Sequence, residues 1–173
     1  MKQKIIAIVG DSGTGKSTLA AYIERELGIR QLVSHTTRPM REDERNGVGH
    51  YFVTEDEMPP RSRMLAYTYF GGNHYWVDLR ELRNDPIVTY VIDEKGLMML
   101  LEEYSDAFDI IPILIRRDPA LRLADGIPAD RIQRDRCRVH IEEAQYAHIF
   151  DNNGPLNEFL YNAKTTLWNL KDE

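Results

Sequence analysis

A three-layer α/β fold built around a parallel sheet is predicted for this 173-residue sequence by three observations. Short apolar runs that read as buried strands alternate with longer stretches that read as helices. A glycine-rich turn, Gly10 to Ser17 (GDSGTGKS), joins the first run to the first helix. Residues 34–85 then interrupt the alternation with aromatic clusters and turn residues, which predicts a lobe inserted into the sheet. Parallel strands joined by helical crossovers are covered on both faces, and ligands gather at the carboxyl ends of such strands.

The elements follow in order. Ile5-Ile6-Ala7-Ile8-Val9 is the first strand, and the helix behind the glycines spans Ser17 to Leu27. Gln31-Leu32-Val33 is a second short apolar element. From Ser34 to Asp85 the pairs Pro59-Pro60 and Gly71-Gly72 punctuate an inserted α+β lobe. Residues 86–92 read as a core strand ending at Asp93, which is placed to cap a helix over 96–104. Residues 110–115 are a further strand. The stretch 116–138 is rich in arginine and poor in large apolar residues, the pattern of a solvated flap. A helix over 141–147, a short strand at 148–150 and a last helix over 156–170 complete the chain. The expected organisation is a core of 1–33 and 86–173, a lobe of 34–85 and a short lid at about 116–138.

Composition narrows the classes of function. A net charge of −6 and a pI near 5.4 argue against general nucleic-acid binding, which leaves a basic footprint. The single cysteine, Cys137, excludes an internal disulfide and a multi-cysteine metal site, and suits a reducing cytoplasm. The five histidines show no zinc-ligand spacing. Met1-Lys2-Gln3-Lys4 leads straight into the first strand, so no signal peptide is expected, and no apolar run has membrane-spanning length. A cytoplasmic monomer or homodimer acting on small molecules, with neither nucleic acid nor membrane as partner, is the expectation.

The pattern G-x-x-x-x-G-K-[ST] at Gly10-Asp11-Ser12-Gly13-Thr14-Gly15-Lys16-Ser17 sits between strand and helix, the context in which it cradles phosphate. Glycines let successive backbone N–H groups close around a polyphosphate, and the helix N-terminus adds a favourable dipole for anions. Residues from Gly10 through Thr18 are therefore candidates for ATP binding. Lys16 would reach the terminal phosphates and Ser17 would hold a Mg²⁺ ion, which retains several waters and bridges phosphate oxygens.

A second anion site is suggested by Ser34-His35-Thr36-Thr37-Arg38-Pro39-Met40-Arg41. Guanidinium groups present planar, paired donors matched to phosphate oxygens, and Pro39 fixes the backbone between the two arginines.

This stretch, with Glu44, Gly47 and Phe52-Val53 after it and the phosphate loop before it, resembles the guanylate kinase family, and the likeness extends through Gly72-Asn73-His74-Tyr75, Asp93 and Gly96. It implies a P-loop nucleoside-monophosphate kinase fold, with a P-loop NTPase core, an acceptor-binding lobe and a lid. On that likeness Ser34, Arg38, Arg41 and Tyr75 contact the acceptor phosphate. A further phosphate-binding tyrosine of the family falls in register on His50, with Tyr51 adjacent; either the histidine has taken the role or the strand is slipped by one. Where the family carries a guanine-binding glutamate this chain has Ala66. Val77 replaces a base-contacting serine or threonine, and Val91 the first acid of an Asp-x-Asp pair, leaving Asp93 to contact the acceptor or order water around Mg²⁺.

Within 116–138, Arg122, Arg131, Arg134 and Arg136 are lid candidates, with Arg131 and Arg134 assigned to the transferring phosphoryl group. The alternative is a salt-bridged exposed helix face of alternating Arg and Asp. Residues 151–154 resemble the donor-adenine loop of this family and of dephospho-coenzyme A kinases, which makes Asn153 an ATP-binding candidate. The expected activity is transfer of the ATP γ-phosphoryl group to a nucleoside monophosphate, GMP or dGMP by default, with large closure on binding. Two other readings stand beside it: a kinase for another phosphorylated acceptor, and a non-catalytic guanylate-kinase-like interaction module, against which the intact loop counts.

Overall fold

The computed structural model describes residues 2–172. Five strands form one parallel sheet: β1 (Gln3–Val9), β2 (Gln31–Leu32), β7 (Ile87–Val91), β8 (Phe108–Arg116) and β9 (His148–Asp151), in the spatial order β2-β7-β1-β8-β9. Alternation along β1 sends Ile6 and Ile8 to one face and Ile5, Ala7 and Val9 to the other, all fully buried. The first face is covered by α1 (Lys16–Leu27) through Leu19 and Ile23 and by α5 (Leu156–Asp172) through Phe159, Ala163 and Leu167. The second is covered by α2 (Glu94–Tyr104) through Leu97 and Leu100. The predicted three-layer arrangement is the observed one.

A second sheet, of order β4-β3-β6-β5, comprises β3 (Ser34–Thr36), β4 (His50–Phe52), β5 (Met64–Phe70) and β6 (Asn73–Asp78). Its Leu65 and Val77 join the core under α2, which ties the two sheets together. Helical structure between residues 34 and 85 is limited to single 3₁₀ turns at Glu55–Glu57, Arg61–Arg63 and Leu79–Glu81. Pro59-Pro60 stops the first of these from lengthening. Ala66 sits beside a bulge in β5, where the pairing to β6 shifts by one, and has a left-handed backbone (φ 49°).

Two predicted elements differ. Residues 141–147 hold only a 3₁₀ turn, Glu143–Gln145. Tyr146 is drawn into the core, and the Ala147 N–H donates to the Pro112 carbonyl (2.8 Å) where β9 begins, so strand pairing takes the chain before a helix can propagate. Residues 116–138 are mostly exposed, as expected, but they are anchored rather than a loose flap. They fold as α3 (Pro119–Ala124) and α4 (Ala129–Asp135), with Arg122 only 2% and Asp135 only 1% exposed.

Candidate active site

The loop after β1 lies at the carboxyl end of the sheet and rims a cleft of about 480 Å³. A β-carbon on Gly10 would stand 2.4 Å from the Ile115 carbonyl oxygen, so β8 can run alongside only a glycine there. Lys16 folds back over the loop, its Nζ donating to the Gly10 and Asp11 carbonyls at 2.7 Å each. Enclosure by the loop, and next Arg138, lowers the Lys16 pKa to about 8. Thr14 is buried, its hydroxyl on the Asp11 carbonyl (3.0 Å). Ser17 faces the cleft, whereas the Thr18 side chain is exposed away from it.

The second sheet supplies the facing wall. Arg38 is gripped by both carboxylate oxygens of Glu44 (2.8 and 2.9 Å) and lies over the Phe52 ring, 5.2 Å from its centroid. Glu44 also accepts from the Arg41 backbone N–H (2.8 Å), and the hydrogen bonds from Arg38 hold its carboxyl down at about 2. Thus the two arginines, Glu44 and the turn between them form one preorganised cationic corner. The His50 side faces this corner: its Nδ1 is 2.7 Å from the Ser34 hydroxyl, and its ring meets Tyr75 edge-on at 6.3 Å. Tyr51 turns the other way, onto His35, whose ring stacks on Trp76. The register Ser34↔His50 thus puts His50, and not Tyr51, on the cleft side. Burial, and next Arg38, lower the His50 pKa.

Asp93, two residues beyond the end of β7, lines the cleft and caps α2 by accepting from the Gly96 N–H (2.7 Å). The next residue, Glu94, is buried with its Oε2 unpartnered. Arg131, Arg134 and Arg138 complete the rim. Among the described residues neither Arg131 nor Arg134 enters an ion pair, so α4 is not the salt-bridged surface its alternating charges suggested. Arg136 is exposed and does not line the cleft.

Three expected placements change. Arg122 is no rim residue; it is buried against the loop, 3.1 Å from Asp11 and 3.0 Å from Asp135. Asn153 lies outside the cleft and accepts from the Asp118 N–H (2.8 Å); its neighbour Asn152 is the one that meets the loop, its Nδ2 donating to the Thr14 carbonyl (2.8 Å). Val77 is fully buried opposite Leu65 and does not reach the cleft wall, where β5 and β6 present Ala66, Thr68, Phe70, Asn73 and Tyr75. Sequence reasoning missed Thr68, for which no motif signalled a role, and did not single out Arg138 or Asn152, although each lies in a stretch it had marked, the arginine-rich segment and the 151–154 loop.

A phosphate loop and an arginine corner on opposite walls of one cleft, over a parallel sheet with an inserted second sheet, define a P-loop nucleotide-kinase fold. Residues 2–85 match the family model for guanylate kinase. A guanylate kinase of Chlorobium luteolum is 34% identical over 112 residues, 60% of this chain and 57% of that protein, so the match spans little more than half of that relative. A guanylate kinase of Malacoplasma penetrans is 28% identical over 173 residues, 90% of this chain and 88% of its own. The crystal structure of guanylate kinase from Anaplasma phagocytophilum covers all of this chain and 89% of its own, with a TM-score of 0.73 at 20% identity. Over residues 2–85 the chain is similar to the guanylate kinase family, and the whole of it shares the fold of a guanylate kinase. No described helix is long and apolar enough to cross a membrane.

Proposed function

We propose that this protein is an ATP-dependent nucleoside-monophosphate kinase that forms a nucleoside diphosphate from GMP or dGMP. The observation that carries the reading is the opposition of the Gly10–Ser17 loop and the Arg38–Arg41 corner across one cleft, with unpaired guanidiniums between them. The loop amides of Gly10 to Ser17 and Lys16 bind and orient the donor. Ser34, Arg38, Arg41, His50 and Tyr75 hold the acceptor phosphate, an oxygen of which attacks the γ-phosphorus as the bond to the β,γ-bridging oxygen breaks. Arg131 and Arg134 balance the charge that spreads over the transferring group. The second sheet is then the acceptor lobe, 34–85, on a core of 1–33 and 86–173, and 116–138 is the lid.

Among the described residues no cluster of His, Cys, Asp or Glu suffices to hold a metal alone. That donor set fits Mg²⁺ arriving with the nucleotide: the Ser17 hydroxyl would ligate it, and Asp93, with the unpartnered Oε2 of Glu94 beyond, would accept from its waters. Bound there, Mg²⁺ supplies neutralisation of phosphate charge.

One observation favours a second reading, a different phosphorylated acceptor. No acidic side chain of β5 or β6 lines the cleft, and Ala66 occupies the place of a guanine-binding carboxylate. A site without that acceptor leaves guanine's N–H edge unsatisfied, which weakens discrimination by orders of magnitude. A coupled assay over the nucleoside monophosphates tests both: turnover with GMP at ordinary kinase rates supports the first reading, and turnover confined to another acceptor supports the second. Loss of turnover in Lys16→Ala separates either from a non-catalytic module.

A further inference from the structure

The arginine-rich segment is fastened to the phosphate loop by a buried charged bridge. Asp135 accepts from the Ser12 backbone N–H through Oδ2 (2.9 Å) and from the Ser12 hydroxyl through Oδ1 (3.2 Å). Arg122 donates to the same Oδ2 (3.0 Å) and to the Ser12 carbonyl (3.2 Å), while its other nitrogen meets Asp11 at 3.1 Å. Between these residues in sequence, the Ile127 side chain lies so close to Gly13 that a β-carbon there would stand 2.4 Å from it. Burying such a pair yields little net stability, because desolvation cancels most of the attraction. What it does supply is geometry: four directional contacts that fix the segment against two consecutive loop residues.

That geometry bears on the cleft. Arg131, Arg134 and Arg138 stand four residues before, one before and three after Asp135, and all three line the cleft. Arg131 keeps a buried Nε with no partner, and Arg138 reaches Asp135 only at 3.5 Å. Of the three, only Arg138 meets the Asp135 carboxylate; Arg131 and Arg134 ride on the same short helix as Asp135, so anchoring Asp135 to Ser12 fixes where they project over the loop.

We propose that Asp135 and Arg122 are positioning residues for phosphoryl transfer: by bridging to Ser12 and Asp11 they seat Arg131, Arg134 and Arg138 over the phosphate loop before nucleotide arrives. The seating stands on the contacts above; its use in transfer rests on the kinase reading. A segment held in this way is no free flap, so closure on the acceptor falls to the second sheet.

The test uses the full chain, with a fluorescent label on Cys137, which is exposed and the sole cysteine. Wild type, Asp135→Ala, Asp135→Asn, Arg122→Lys and the exposed-face control Gln133→Ala are compared for label anisotropy without nucleotide, MgATP affinity, kcat and acceptor KM. Label motion in wild type and control should be restrained and nearly unchanged by MgATP. In Asp135→Ala the label should move freely, and kcat should fall about tenfold or more while acceptor KM stays within about threefold. Asp135→Asn, which keeps one acceptor oxygen, should recover part of that loss, and Arg122→Lys should fall between. Equal restraint in wild type and Asp135→Ala, or a proportionate loss of acceptor binding, overturns the proposal. Should Asp135→Ala not fold, Asp135→Asn and Arg122→Lys decide by the same readings. If wild type turns over no monophosphate, the kinase reading fails, while anisotropy still judges the seating.

Discussion

Replacing Gly15 with alanine measures how tightly the phosphate loop is packed on the strand-to-helix turn after β9. Gly15 has φ of 106°, where a side chain costs about 1–3 kcal/mol. Its new β-carbon would stand 2.8 Å from the Asn152 Nδ2, which donates to the Thr14 carbonyl at 2.8 Å. Asn152 is only 5% exposed, so it moves only by giving up that bond, and an abandoned buried acceptor costs about 1–3 kcal/mol. Gly15→Ala should therefore cost about 2–6 kcal/mol, the sum of those two ranges. Asn152→Ala alone should cost about 1–3 kcal/mol. The double variant loses the hydrogen bond once, so it should be more stable than the sum of the singles by about 1–3 kcal/mol. At this chain length each kcal/mol lowers Tm by about 2–4 °C, which puts the coupling within reach of thermal and urea melts of the three variants beside wild type. Strict additivity would show that the Asn152 side chain is not what Gly15 accommodates, and would refute the packing argument.

Lys16 near pKa 8 predicts proton uptake: bound phosphate restores its charge, so MgATP binding at pH 8 should take up about half a proton and almost none at pH 6. Calorimetry in two buffers of different ionisation enthalpy reads this, and equal values at both pH values contradict it. Arg38 holds the Glu44 carboxyl at about 2, below its ordinary 4.5, so the pair stabilises the fold above pH 4.5 and is lost as pH falls toward 2. Glu44→Gln should cost about 0.5–1 kcal/mol at pH 7, and the difference from wild type in urea melts should shrink toward pH 2.5. Tyr75→Phe should raise acceptor KM about tenfold through one lost hydrogen bond, with MgATP affinity unchanged; a matching loss of MgATP affinity would place Tyr75 elsewhere in the chemistry.

Much of the fold could be read along the chain, because the information is local. Runs such as Ile5–Val9 and Ile87–Val91 are apolar on both faces and so belong in a covered parallel sheet, and the glycine pattern marks the turn from β1 into α1. The helix expected at 141–147 failed because a hydrogen bond to Pro112, thirty-five residues earlier, outcompeted it. The arginines of 116–138 looked alike in sequence. In space, Arg122 is buried in the loop bridge, Arg131 and Arg134 face the cleft, and Arg136 faces solvent. Similarly, Asn152 and Asn153 are adjacent, yet the turn that follows β9 sends one side chain to the loop and the other to the backbone of Asp118.

By itself the sequence determined the layers, the phosphate loop and the likeness that marks Arg38 and Arg41, since each depends on periodicity or on residues within a few positions of one another. Tertiary structure alone decided which wall each group faces: His50 rather than Tyr51 toward the arginine corner, Val77 into the core, Glu44 onto Arg38, and Asp135 onto Ser12. Such choices follow from strand register, where a shift of one position exchanges buried for exposed, from how the loop after β3 closes on itself, and, for Asp135 and Ser12, from a pairing 123 residues apart that no local pattern carries.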